Sequence, residues 1–123
     1  MLEKEIVKEF MQGIVTDKVK EVYEKYVADD FKHHNAYYKS DKNSLMNGMI
    51  QSNEQFPNKK LNIKKIVCEL PEIVVFSHIQ INEALSLSAV HIFKFEQGKI
   101  KEMWDITQVI PEEDDIENEL GLF

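Results

Sequence analysis

Apolar residues recur every three to four positions through the first third of the chain and every two positions through the last half. Leu2, Ile6, Phe10 and Ile14 are spaced by four, with Val7, Met11 and Val15 beside them. This is the stripe of an amphipathic helix, and Gly13 and Thr16-Asp17 mark its stop and a new N-cap. Val19, Val22, Tyr23, Tyr26 and Val27 trace a second helix face, closed by Asp29-Asp30. Residues 31–39, rich in His and Tyr, carry neither period. Ser40-Asp41 offers the next N-cap, and Leu45, Met46, Met49 and Ile50 give a shorter third stripe that ends at Phe56-Pro57-Asn58.

From about residue 61 the period changes to two. Leu61, Ile63 and Val67 predict a first strand punctuated by Pro71. Residues 73–82, 85–96 and 99–110 predict three more. β-branched and aromatic residues dominate all four, as half-buried pleated surfaces favour. Helices followed by strands define an α+β fold with an antiparallel meander. A length of 123 residues suits one domain with a real core. The segment from Pro111 to Phe123 carries six acids between Glu112 and Glu119 and is expected to be a solvated end.

Charge narrows the partners. Fifteen basic against twenty-two acidic residues give a net charge of −7, which disfavours nucleic acid because phosphate neutralisation needs a basic face. The densest basic cluster, Lys59, Lys60, Lys64 and Lys65, reads as the solvated start of a strand. No apolar run reaches membrane-spanning length, so no membrane partner is expected. A single cysteine, Cys68, permits no intrachain disulfide and reads as a sheet residue of a soluble, cytoplasmic protein.

Candidate chemistry rests on four histidines and one strand carboxylate. His33, His34, His78 and His91 lack the spacing of a local metal site, so no metal is expected. Four scattered glycines form no phosphate-cradling loop, and no nucleophile elbow is present. What remains is acid–base work by His and Asp in an apolar cavity, which would raise a carboxyl's pKa towards working pH. Asp105 lies between Trp104 and Ile106 in a strand and could face a cavity or solvent. His91 has the same ambiguity. With a two-residue Gln97-Gly98 turn and a regular ladder, His91 opposes Trp104. A one-residue irregularity would set His91 opposite Asp105.

The loop His34-Asn35, the run Phe93-Lys94-Phe95-Glu96-Gln97-Gly98-Lys99-Ile100, the following Glu102-Met103-Trp104-Asp105, and the ending Gln108-Val109-Ile110-Pro111 resemble SnoaL-like proteins of the nuclear transport factor 2-like superfamily. The resemblance covers nearly the whole chain. It implies three N-terminal helices on a strongly curved antiparallel sheet, forming a cone with an internal pocket, and a homodimer through the sheet. It also implies cofactor-free aldol condensation, cyclisation or isomerisation of a small apolar carbonyl compound. By that likeness Asp105 is the acid/base residue, with His91 or His34 stabilising the oxyanion. Trp104, His78, Tyr38, Phe93 and Gln108 would bind substrate. The chain departs from the pattern at Met103, where relatives often have histidine, and at His91, where they often have aspartate. A non-catalytic ligand-binding or dimerisation module is the alternative.

Overall fold

A computed structural model describes residues 2–123. Three helices precede most of the sheet: α1 Leu2–Ile14, α2 Val19–Tyr26 and α3 Lys42–Gln55. Asp41 caps α3 as its sequence suggests, accepting from Ser44 N at 2.9 Å and Ser44 Oγ at 2.7 Å. Thr16-Asp17 does not cap α2. The helix begins after Lys18, and Thr16 Oγ1 instead donates to Gly13 O at 3.0 Å. Gly13 does more than end a helix, since a Cβ there would lie 2.5 Å from a Val22 methyl. The missing side chain lets α2 close on α1.

Five strands form one mixed, curved sheet in the order β1-β5-β4-β3-β2. They are β1 Val27–His34, β2 Lys60–Glu69, β3 Glu72–Gln80, β4 Ser86–Glu96 and β5 Lys99–Val109. Four are antiparallel neighbours, as the alternation predicts. The additional strand, β1, runs parallel to β5. Its sequence hid it for two reasons. A register irregularity between Val27 and Lys32 interrupts the alternation, and one inward position holds a polar residue, His33. A second irregularity, between Ile63 and Lys65, turns Ile66 and Cys68 towards the core and leaves Val67 60% exposed. Val67 therefore does not share the inner face of Leu61 and Ile63.

The core lies between the helices and the concave sheet face. Phe10 packs against Tyr23 and Phe93 with ring centroids 5.3 and 5.6 Å apart, and Tyr23 meets Phe31 edge-on at 6.4 Å. These tilted and edge-on geometries suit aromatic quadrupoles. On the convex face the chain end returns across the sheet. Phe123 sits 5.5 Å from Phe76 and 5.0 Å from His78, so the acidic stretch is exposed but the terminus is not simply solvated. No helix among the described residues is long and apolar enough to cross a membrane.

Candidate functional site

The site begins at the β4–β5 turn. Gln97 and Gly98 both have positive φ, 53° and 76°, the backbone of a two-residue hairpin turn with the twist of its strands. Glu96 pairs with Lys99 and Phe95 with Ile100, but Lys94 then pairs with Glu102. Lys101 is the extra residue of a bulge, and its ammonium is ion-paired with Asp30 on β1. That one residue sets His91 opposite Asp105, both on the concave face.

His91 Nε2 lies 3.2 Å from Asp105 Oδ1, with side-chain exposures of 4% and 14%. The approach is close but off the hydrogen-bond line, so buried Oδ1 has no aligned donor. Oδ2 is held differently. Asn35, just past the end of β1, donates from Nδ2 at 2.8 Å, while its own Oδ1 accepts from Tyr37 N at 2.7 Å. The turn thus aims the amide before any ligand arrives.

Burial, the largest single influence, pushes the Asp105 carboxyl's pKa up, while the close approach of His91 pulls it down. The Asn35 hydrogen bond and the charge of His33 act the same way, so the pKa falls below the ordinary carboxylate value. The expected upward shift is therefore corrected: partners beat desolvation here. Tyr23 moves the other way. Burial, then the Asp105 charge, raise its pKa, so it remains a neutral phenol, donating to Met49 Sδ at 3.3 Å.

A half-open cavity of about 240 Å³ lies over this group. Asp105, His91, Asn35 and Thr107 supply polar lining, and Leu45, Met49, Ile79 and Leu87 supply apolar wall. Tyr38 lies over Gly48, where a Cβ would come within 2.3 Å of its ring.

Strand alternation divides the remaining candidates. Phe93 is inward but fully buried, its ring 6.2 Å from that of His91, so it supports that imidazole from below. Trp104 neighbours Asp105 in sequence and therefore points to the convex face, where it stacks on His34 at 4.9 Å. His34 also meets Glu102 at 2.7 Å on that face. His78 and Gln108 lie on the same outer side, paired in register with Ser88. None of these four lines the cavity. His33 takes the inward place assigned to His34, its Nε2 2.5 Å from Lys39 O. Its parity with Phe31 was the available signal. Sequence reasoning also missed Asn35 as a carboxylate partner, Thr107 on the lining, and Lys59, whose role as a strand-start lysine hid its place there. Among the described residues no three His, Cys, Asp or Glu side chains gather as a metal-ligating group.

Helices capping a bent sheet around a cavity define an α+β cone, and solved structures share it. An NTF2-like protein of unknown function from Cytophaga hutchinsonii superimposes with a TM-score of 0.70 at 16% identity, covering 85% of this chain and 88% of that one. A SnoaL-like polyketide cyclase from Agrobacterium tumefaciens gives 0.69 at 12% identity, covering 85% and 90%. A cystatin-fold protein from Novosphingobium aromaticivorans gives 0.69 at 18%, covering 83% and 95%. These likenesses establish the fold. No curated protein matches the sequence significantly. The family model described as SnoaL-like polyketide cyclase matches residues 5–116. The chain belongs to that SnoaL-like family.

Proposed function

We propose that the cavity binds a small carbonyl compound and that Asp105 removes a proton from the carbon next to the carbonyl, with no cofactor. The observation that carries this reading is the buried His91–Asp105 pair, 3.2 Å apart on the lining of an otherwise largely apolar cavity. Asp105 Oδ1 takes the proton as the C–H bond breaks. The electron pair moves onto the carbonyl oxygen, and His91 Nε2–H donates a hydrogen bond to the developing enolate. Asn35 keeps Oδ2 engaged, so Oδ1 is the basic atom. The enolate carbon then attacks a second carbonyl within the ligand and Asp105 returns its proton to the new alkoxide, completing an aldol cyclisation. Return of the proton to a different carbon gives an isomerisation.

A carboxylate held below its ordinary pKa is a weak base. It suits an acidic C–H, above all one between two carbonyls. A direct probe is the keto–enol interconversion of 2-acetylcyclohexanone, followed by ultraviolet absorbance. Wild-type protein should accelerate it, and Asp105→Asn should lose roughly 100-fold or more of that acceleration. An undiminished rate in the variant would remove Asp105 from the reaction.

We also propose a homodimer through the convex face. Val74, Phe76, Val90, Ile92 and Trp104 are only half-buried there, and Ile106 is 57% exposed, an apolar surface of the kind that partners cover. Sedimentation velocity should give twice the chain mass at micromolar concentration; a monomer would contradict this. The lone, half-buried Cys68 suits a reducing, cytoplasmic setting.

A further inference from the structure

The His91–Asp105 end of the cavity accommodates a reacting carbonyl. The opposite end contains a group that reading does not use. The α3 face from Leu45 through Gly48 and Met49 to Ser52 runs along the cavity, and Lys59 meets it at the Ser52 end. Lys59 Nζ donates to Ser52 Oγ at 2.5 Å and Asn53 Oδ1 at 2.8 Å. An ammonium has three N–H donors, so one is left. Among the described residues Lys59 forms no ion pair with a carboxylate. Lys59 also borders a second groove, shared with Asp17 and Glu54, and neither carboxylate reaches it as an ion pair. Half-burial lowers the Lys59 pKa, the direction expected of a cation short of compensation.

A structural role explains part of this arrangement. Asn53 also donates to Ile14 O at 2.8 Å and Thr16 O at 2.6 Å, so Lys59 belongs to a brace tying β2 to α3 and the end of α1. The brace accounts for two donors. It does not require a positive charge on the lining of a small-molecule cavity, since a neutral donor would serve.

From this placement we infer that Lys59 anchors a carboxylate on the ligand, at the end remote from the reacting carbonyl. The inference rests on the carbonyl reading and adds a substrate class: a keto acid, elongated rather than compact. Register gives the span. Leu87 is four residues from His91, or roughly 13 Å along β4, and Lys59 lies farther still, two residues before Leu61 and two strands across the curved sheet from Leu87. A chain of several carbons between the 1,3-dicarbonyl and the acid bridges much of that length, and the two side chains reach towards each other for the rest. The apolar wall between them suits such a chain.

The test compares 6,8-dioxononanoate with its methyl ester by isothermal titration calorimetry. Wild-type protein should prefer the acid by about tenfold or more, the effect of one charge-assisted hydrogen bond. Lys59→Met and Lys59→Gln should lose that preference while ester affinity stays unchanged; the glutamine retains donors for the brace. Equal affinity of acid and ester for wild type, a preference that survives both substitutions, or no saturable binding of either probe would overturn the assignment. If both variants fail to fold by circular dichroism, the wild-type comparison decides alone. Keto–enol relaxation of the same two probes separates this inference from the reading beneath it. Acid-selective binding without acceleration would sink the proton transfer and keep the Lys59 anchor. Equal binding and acceleration of acid and ester would do the reverse.

Discussion

Two histidine–carboxylate pairs bind β5 to its neighbours, one on each face of the sheet, and they differ in nearly everything except composition. On the convex face His34 and Glu102 are 2.7 Å apart, with side-chain exposures of 53% and 29%. On the concave face His91 and Asp105 are farther apart, at 3.2 Å, yet only 4% and 14% exposed. The shorter contact is the weaker candidate for chemistry. Water screens an exposed pair, holding it to about 1 kcal/mol or less. In the buried pair each side chain depends on the other, because little solvent can replace a lost partner. Distance alone would favour the solvent-exposed pair.

Breaking each pair should expose this contrast most sharply in the rate. Asp105→Asn is expected to slow keto–enol relaxation by roughly two orders of magnitude, whereas Glu102→Gln should leave it unchanged. Equal losses in both variants would erase the distinction between the faces. Stability should separate the histidines less strongly. His91→Ala leaves Asp105 buried without its main partner and is expected to cost about 1–3 kcal/mol in urea unfolding. His34→Ala should cost under about 1 kcal/mol, and the reverse ranking would contradict the burial argument.

The smallest effect is the pH dependence. The folded Asp105 pKa is depressed, so its ionised form adds stability that is fully present above the unfolded value of ~3.9. That contribution is lost as pH falls through the lower folded value. Wild-type unfolding curves between neutral pH and strong acid should therefore show an Asp105-dependent loss confined to the acid side. A loss that begins near neutrality would mean that the carboxyl is raised instead.

Much of this architecture was legible in periodicity because helices and half-buried strands repeat their burial regularly. Leu2 through Val15 and the runs after Leu61 are of this kind. Irregular backbone was not legible. β1 escaped because its ladder breaks between Val27 and Lys32, and Val67 was misplaced by the irregularity after Ile63. The bulge at Lys101 could be posed only as one of two registers, and whether His91 met Asp105 depended on it. The outward direction of His34 and the inward one of His33 follow from the parity of β1, a strand the alternation does not reveal. Lys59 was hidden differently. Its neighbours in sequence are solvated lysines, and only the packing of α3 across the cavity gives it another setting.

The most direct test of the buried pair is a carbon-13 NMR titration of the Asp105 carboxyl in wild-type protein and in His91→Phe. The account predicts a wild-type midpoint below ~3.9 that rises when the imidazole is removed. A midpoint at or above that value, unmoved by the substitution, would contradict it.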